Sequence, residues 1–191
     1  MDIFTIFLYI IALIILVIIV ISAFIFLDLM SYTARGTKSI TSSRNVIGNA
    51  LVVYNPGISG MAKNAANNIA NDLKSKGYNV QLTGIKNKAA SSTLGYKIVV
   101  VGGPMYMGKA TKSIENYLKT LKLQKDVNLG VFTTTGSDQL NKDDYKSLKK
   151  QVEILTDYNH LNKLTIKLIR SGNEFVKDSN DLVSNIISIE K

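Results

Sequence analysis

From Ile3 to Leu27 the chain carries no charged residue, and Thr5, Tyr9 and Ser22 are the polar interruptions of an otherwise apolar run. At about 1.5 Å per residue such a helix is roughly 37 Å long, enough to cross a hydrocarbon core of about 30 Å with some tilt. A cleaved signal would want a basic leading segment, a shorter apolar core and a small-residue cleavage site. The run has none of these, so residues 1–27 read as an N-terminal transmembrane anchor. Residues 28–47 are polar, rich in Ser and Thr and without apolar periodicity, which reads as a flexible juxtamembrane linker.

From residue 48 the pattern becomes regular. Ala50 to Tyr54 is a β-branched apolar run stopped by Asn55-Pro56-Gly57, the signature of a buried strand. Ser59 to Lys76 follows as a helix with Ala62, Ala65, Ala66, Ile69 and Leu73 on one face and Gly77 at its end. Val80 to Thr83 alternates weakly, as a sheet edge does. Lys97 to Val101 is a strong strand running into Gly102-Gly103-Pro104, and Ala110 to Leu121 is helical, with Ile114, Tyr117, Leu118 and Leu121 on one face. Leu129 to Thr133 (strand), Asp143 to Leu155 (helix), Leu164 to Ile169 (strand) and Asp181 to Ile189 (amphipathic helix) complete the pattern, and residues 86–94 leave room for at most a short helix. Continuous apolar strands alternating with helices mean a parallel sheet covered on both faces. The expectation for residues 48–191 is therefore a single α/β domain, a five-stranded parallel doubly wound sheet, behind one transmembrane helix.

Charge adds orientation. Arg35, Lys38 and Arg44 follow the apolar run and no Lys or Arg precedes it, so the positive-inside rule places the C-terminal domain in the cytoplasm of a single-pass cell-membrane protein. The chain has 23 Lys and Arg against 14 Asp and Glu, a net charge of +9. With no compact basic run or recognition motif, a nucleic-acid partner is disfavoured; an anionic bilayer surface or a lysine-rich solvated surface accounts for the balance. There is no Cys and one His, so no zinc cluster, iron–sulfur site or thiol nucleophile is available; His160 reads as a surface or structural residue. Asp143 and Asp144 read as acids favoured at a helix start.

Ligands of an open parallel sheet bind outside the carboxyl ends of its strands. The first such loop, Asn55-Pro56-Gly57-Ile58-Ser59-Gly60-Met61-Ala62-Lys63, leads into a helix N-terminus, whose unpaired amides suit a phosphate. The plainer alternative is a strand-to-helix turn with Ser59 as N-cap. Neither the Walker pattern nor Gly-x-Gly-x-x-Gly is present. In the second, Gly102-Gly103-Pro104-Met105-Tyr106-Met107-Gly108, Met105, Tyr106 and Met107 would wall a flat ring, or Tyr106 would pack on its own helix. The third, Thr133-Thr134-Thr135-Gly136-Ser137-Asp138, brings hydroxyls and amides to the same side.

In this order and spacing, Leu51-Val52-Val53-Tyr54, Val99 to Gly108 and Phe132-Thr133-Thr134-Thr135-Gly136 resemble the flavodoxin-like family over about residues 48–190. The resemblance implies sheet order 2-1-3-4-5 and FMN at the switch between the first and third strands. Its phosphate would be held by Asn55, Gly57, Ile58, Ser59, Gly60, Met61 and Ala62. The ring would be flanked by Gly103, Pro104, Met105, Tyr106, Met107 and Gly108, and by Thr133, Thr134, Thr135 and Gly136. The implied activity is FMN-dependent electron transfer, with a redox protein or a quinone as partner. The sequence departs from the family's T/S-x-T-G-x-T/S loop: with Ser59-Gly60 on the central pair, the outer hydroxyl positions fall at Gly57 and Ala62, and Pro56 lacks an N–H. The domain is also basic where electron-carrier flavodoxins are commonly acidic. A membrane-tethered interaction module that has lost FMN is the alternative.

Overall fold

Apolar residues at every position of a strand must be covered on both faces, and the core is built on that rule. The computed structural model describes residues 2–30, 34–139, 142–155 and 161–188; His160 lies outside them. Helix α1 (Ile3–Met30) is exposed along its apolar length, and its stretch Ile3–Phe26 is long and apolar enough to cross a membrane. Strands β1 (Thr37–Ile40), β2 (Gly48–Tyr54), β3 (Tyr78–Gly84), β4 (Ile98–Tyr106), β5 (Lys109–Ala110), β6 (Val127–Thr134) and β7 (Leu161–Ile169) form one sheet. Helices α2 (Met61–Ser75), α3 (Lys112–Thr120), α4 (Lys142–Val152) and α5 (Phe175–Ile187) cover it.

The parallel strands run β3-β2-β4-β6-β7, which is the order 2-1-3-4-5 when these five are counted alone. Two antiparallel strands are added to the expected five. β1 pairs with the outer side of β3, and β5 folds back on the end of β4. Helices α2 and α5 pack Ala62, Ala66, Ile69, Leu73, Leu182 and Ile186 on one face of the sheet against Val52, Val100 and Phe132. Helices α3 and α4 cover the other with Ile114, Leu118 and Leu148 against Val53, Val101 and Val131.

The structure differs from the sequence reading at several elements. Residues 37–40 lie within the segment read as a flexible linker, yet they form a strand. β1 buries little beyond part of Ile40, so it carries no apolar period to be read. Because β1 covers β3, β3 is interior to the sheet and not its edge. The strand expected to stop at Val101 continues to Tyr106. Residues 88–91 form a single 3-10 turn. Helix α2 opens at Met61 behind Gly60, whose left-handed backbone (φ 70°) takes the cap position, so Ser59 is not the N-cap; its Oγ instead accepts the Met61 N–H at 3.3 Å.

Candidate functional site

The carboxyl ends of β2, β4 and β6 bring the three loops together. The first is held from within. Buried Asn55 donates its Nδ2 to Ser113 Oγ at 2.7 Å, and its Oδ1 accepts the Gly57 N–H at 3.0 Å, tying the loop to the start of α3. Gly57 has φ +66°, and a Cβ there would stand 2.7 Å from Pro104 Cγ and 2.8 Å from the Tyr106 hydroxyl. Only glycine meets both demands. The Tyr106 hydroxyl accepts the Ile58 N–H at 2.8 Å. Two of the loop's amides, Gly57 and Ile58, are thus already engaged.

The open part of the loop lies further along. Gly60 (φ +70°) has nothing within 4 Å of where a Cβ would be, and the first turn of α2 contains no acidic residue. The amides of Ala62 and Lys63 open this helix without an intrahelical acceptor, as the geometry of any helix start requires. The first intrahelical bond runs from Asn64 N to Gly60 O at 3.0 Å. With the exposed Ser59 hydroxyl and Lys63 beside it, this end is a cradle for an anion.

The second loop is mostly strand. Gly103 and Pro104 are buried within β4 in register with Thr133 and Thr134, and Met105 and Tyr106 end the strand. A two-residue turn at Met107 (φ 49°) and Gly108 (φ 70°) returns the chain to β5, the backbone of a type I′ hairpin. The strand's alternation divides the wall expected of Met105, Tyr106 and Met107. Met105 is buried in the core beside Ile114, Tyr106 meets the first loop, and Met107 is 89% exposed at the hairpin tip.

In the third loop Thr133 and Thr134 are buried strand residues, and Thr135 is anchored twice. Its N–H donates to Ile169 O at 3.0 Å and its hydroxyl to Asp144 Oδ2 at 3.3 Å. Asp144 stands in the first turn of α4, as a helix-start acid does, but it is buried and also faces Gly108. Gly136 is open, with nothing within 4 Å of a Cβ position. Its carbonyl accepts the Ser171 hydroxyl at 2.8 Å, so the turn after β7 braces this loop. That turn is fixed by Arg170, whose Nε and terminal nitrogen bind both oxygens of the buried Asp178 at 2.8 and 2.9 Å. Burial alone would raise the Asp178 carboxyl; hydrogen bonds from the Arg170 side chain and amide, and from Lys167, outweigh it and hold the pKa at about 2.

The structure therefore brings Gly57, Ile58, Pro104 and Tyr106 into contact and leaves Ser59, Gly60 and Gly136 as the open positions, while Ala62 is buried in the core beneath the loop. The roles of Asn55 as a buried tie and of Asp144 as the partner of Thr135 carry no local signal, because both depend on residues met only in the fold.

No family model matches the sequence, and no curated protein matches it. Solved structures do match the fold. A flavodoxin from Streptococcus pneumonia TIGR4 superposes with a TM-score of 0.56 at 16% identity, over 72% of this chain and 96% of that one. Flavodoxin 2 from Bacillus cereus gives 0.52 at 15% identity, over 72% and 97%. An apo NADH:FMN oxidoreductase gives 0.52 at 10%, over 73% and 88%. The domain has a flavodoxin-like fold, preceded by one long apolar helix.

Proposed function

We propose that this chain is a membrane-anchored flavodoxin-like protein that binds FMN and takes part in electron transfer, with a membrane-bound protein or a quinone as its redox partner. The observation that carries the reading is the open helix start at Ser59, Gly60 and Lys63, set at the carboxyl edge of a sheet whose five parallel strands run 2-1-3-4-5. That donor set fits a phosphate monoester: the helix start with the Lys63 amide, one hydroxyl from Ser59 and one ammonium from Lys63. Gly136 leaves room for one edge of a flat ring, and Tyr106 lines the side toward the first loop. FMN, when bound, supplies the hydride and one-electron chemistry, so no protein acid or base is invoked. The residues' part is to hold the phosphate and shape the cavity edge.

A second reading, an interaction module without flavin, is favoured by the engaged amides of Gly57 and Ile58, which are withdrawn from any ligand. One experiment separates the two. The full chain in detergent is examined for flavin absorption bands and then titrated with FMN while fluorescence quenching is followed. Bands or quenching support the flavin reading. Their absence at roughly 50 μM FMN, where binding worth about 6 kcal/mol would be seen, overturns it in favour of the module. Anchoring with a cytoplasmic domain predicts that protease added to intact cells spares the domain; its digestion there overturns that orientation.

A further inference from the structure

The anchor ends beside a cleft that the flavin reading does not use. Phe26 of α1, β5 and the facing sides of α3 and α4 enclose about 920 Å³. The cleft is lined by Lys109, Lys112, Lys146 and Lys150, against two carboxylates, Glu115 and Asp143. Glu115 is spent on Lys112 at 2.5 Å and Lys119 at 2.9 Å. Lys109, Lys146 and Lys150 are exposed and form no ion pair among the described residues. Lys146 and Lys150 stand one turn apart on α4, an arrangement in which like charges repel and an anion between them is favoured. Phe26 is the last residue of the stretch long and apolar enough to span a bilayer, so in a membrane this cleft lies at head-group depth.

We infer that this cleft binds the phosphate of an anionic phospholipid of the leaflet the domain faces. The three unpaired lysines hold the head group, and Phe26 and Ile154 line the side toward the acyl chains. The inference rests on the anchor in the proposed function and not on its flavin. It gives the domain's excess of lysine a specific place to act, beyond a diffuse attraction to the surface.

The test uses the full chain. Flotation with phosphatidylcholine vesicles reports the anchor by itself. The protein is then washed in detergent with equal phosphatidylglycerol and phosphatidylcholine, and the retained lipid is counted by native mass spectrometry. The expected result is retention of phosphatidylglycerol over phosphatidylcholine by about tenfold or more, from three lysines each acting on an anionic lipid. The triple variant K109Q/K146Q/K150Q floats as before and loses the preference. A control of equal charge change away from the cleft, K76Q/K86Q/K125Q, floats and keeps it. Failure of the wild type to float overturns the anchor reading. Flotation without lipid preference overturns the site alone, as does loss of the preference in the control. Displacement of the lipid by millimolar inorganic phosphate identifies a free-anion site and also overturns the lipid assignment.

Discussion

Alanine placed at Gly57, Gly60 and Gly136 separates backbone strain, crowding and ligand space. At Gly60 the new Cβ meets nothing within 4 Å, so the cost is the left-handed backbone alone, about 1–2 kcal/mol. At Gly57 the same penalty (φ +66°) is joined by contacts of 2.7 and 2.8 Å with Pro104 and Tyr106. Overpacking of that kind adds about 1–3 kcal/mol, for a total of roughly 2–5 kcal/mol. Gly136 has open space and a backbone outside the left-handed region, so alanine there is neutral or stabilises by about 0.4–1 kcal/mol through the unfolded chain. The assay is urea denaturation of the full chain in micelles, followed by tyrosine fluorescence because there is no Trp. With a slope of about 1–3 kcal/mol per molar urea, Gly60→Ala lowers the midpoint by roughly 0.5–1 M and Gly57→Ala by about twice as much or more. A Gly57 variant no less stable than the Gly60 variant, or a Gly136 variant as damaged as either, refutes the reasoning. On the proposed function, Gly60→Ala also weakens FMN binding out of proportion to its stability cost, since its methyl enters the cradle.

Asp178 makes stability pH-dependent on the acid side. Its folded pKa of about 2 lies below the ordinary 3.8, so its contribution is complete above about pH 5 and is lost as pH falls toward 2. The shift corresponds to roughly 2 kcal/mol. Asp178→Asn should lower the plateau at neutral pH and flatten the acid limb in thermal unfolding; an unchanged acid limb would count against the Arg170 pairing. Truncation offers a separate check. A soluble piece beginning at residue 48 loses β1 and the bonds from Gly84 N to Gly36 O (2.7 Å) and Lys86 N to Ala34 O (2.8 Å), leaving β3 as an open edge. It is expected to self-associate in size-exclusion chromatography, whereas a piece beginning at residue 34 stays monomeric; equal behaviour would show that β1 is dispensable.

The parallel strands and the helix faces were legible because burial on two faces, or on one stripe, leaves a period in the residues. Ala62, Ala65, Ala66, Ile69 and Leu73 are all buried where the spacing put them. What escaped has physical reasons. β1 is polar because a strand on the rim needs only main-chain bonds to hold it. The continuation of β4 was hidden by Gly102, Gly103 and Pro104, which read as breakers. β2 ends opposite Gly102, so Pro104 has a strand neighbour on one side only, the setting in which a sheet accepts proline. Gly102 is needed for a different reason: a Cβ there would fall 2.3 Å from the buried Phe132 ring. In the site, the glycines of the first loop were visible, but not which of its amides would be spent internally. Asn55 and Ser113 are 58 residues apart, and no local pattern links them.

The strand β1 changes the mechanics of the whole molecule. Six residues, 31–36, join the end of α1 to β1, and Ala34 and Gly36 among them are already bonded to Lys86 and Gly84, so the free reach is shorter than the roughly 20 Å of six extended residues. On the membrane-anchored function proposed above, a domain on so short a leash would sweep a small disc of membrane and not swing out to meet a distant collaborator. Its encounters would then come by lateral diffusion in two dimensions. A pull on the anchor reaches the sheet first at β1, loading the ladder to β3 before it reaches the central strands.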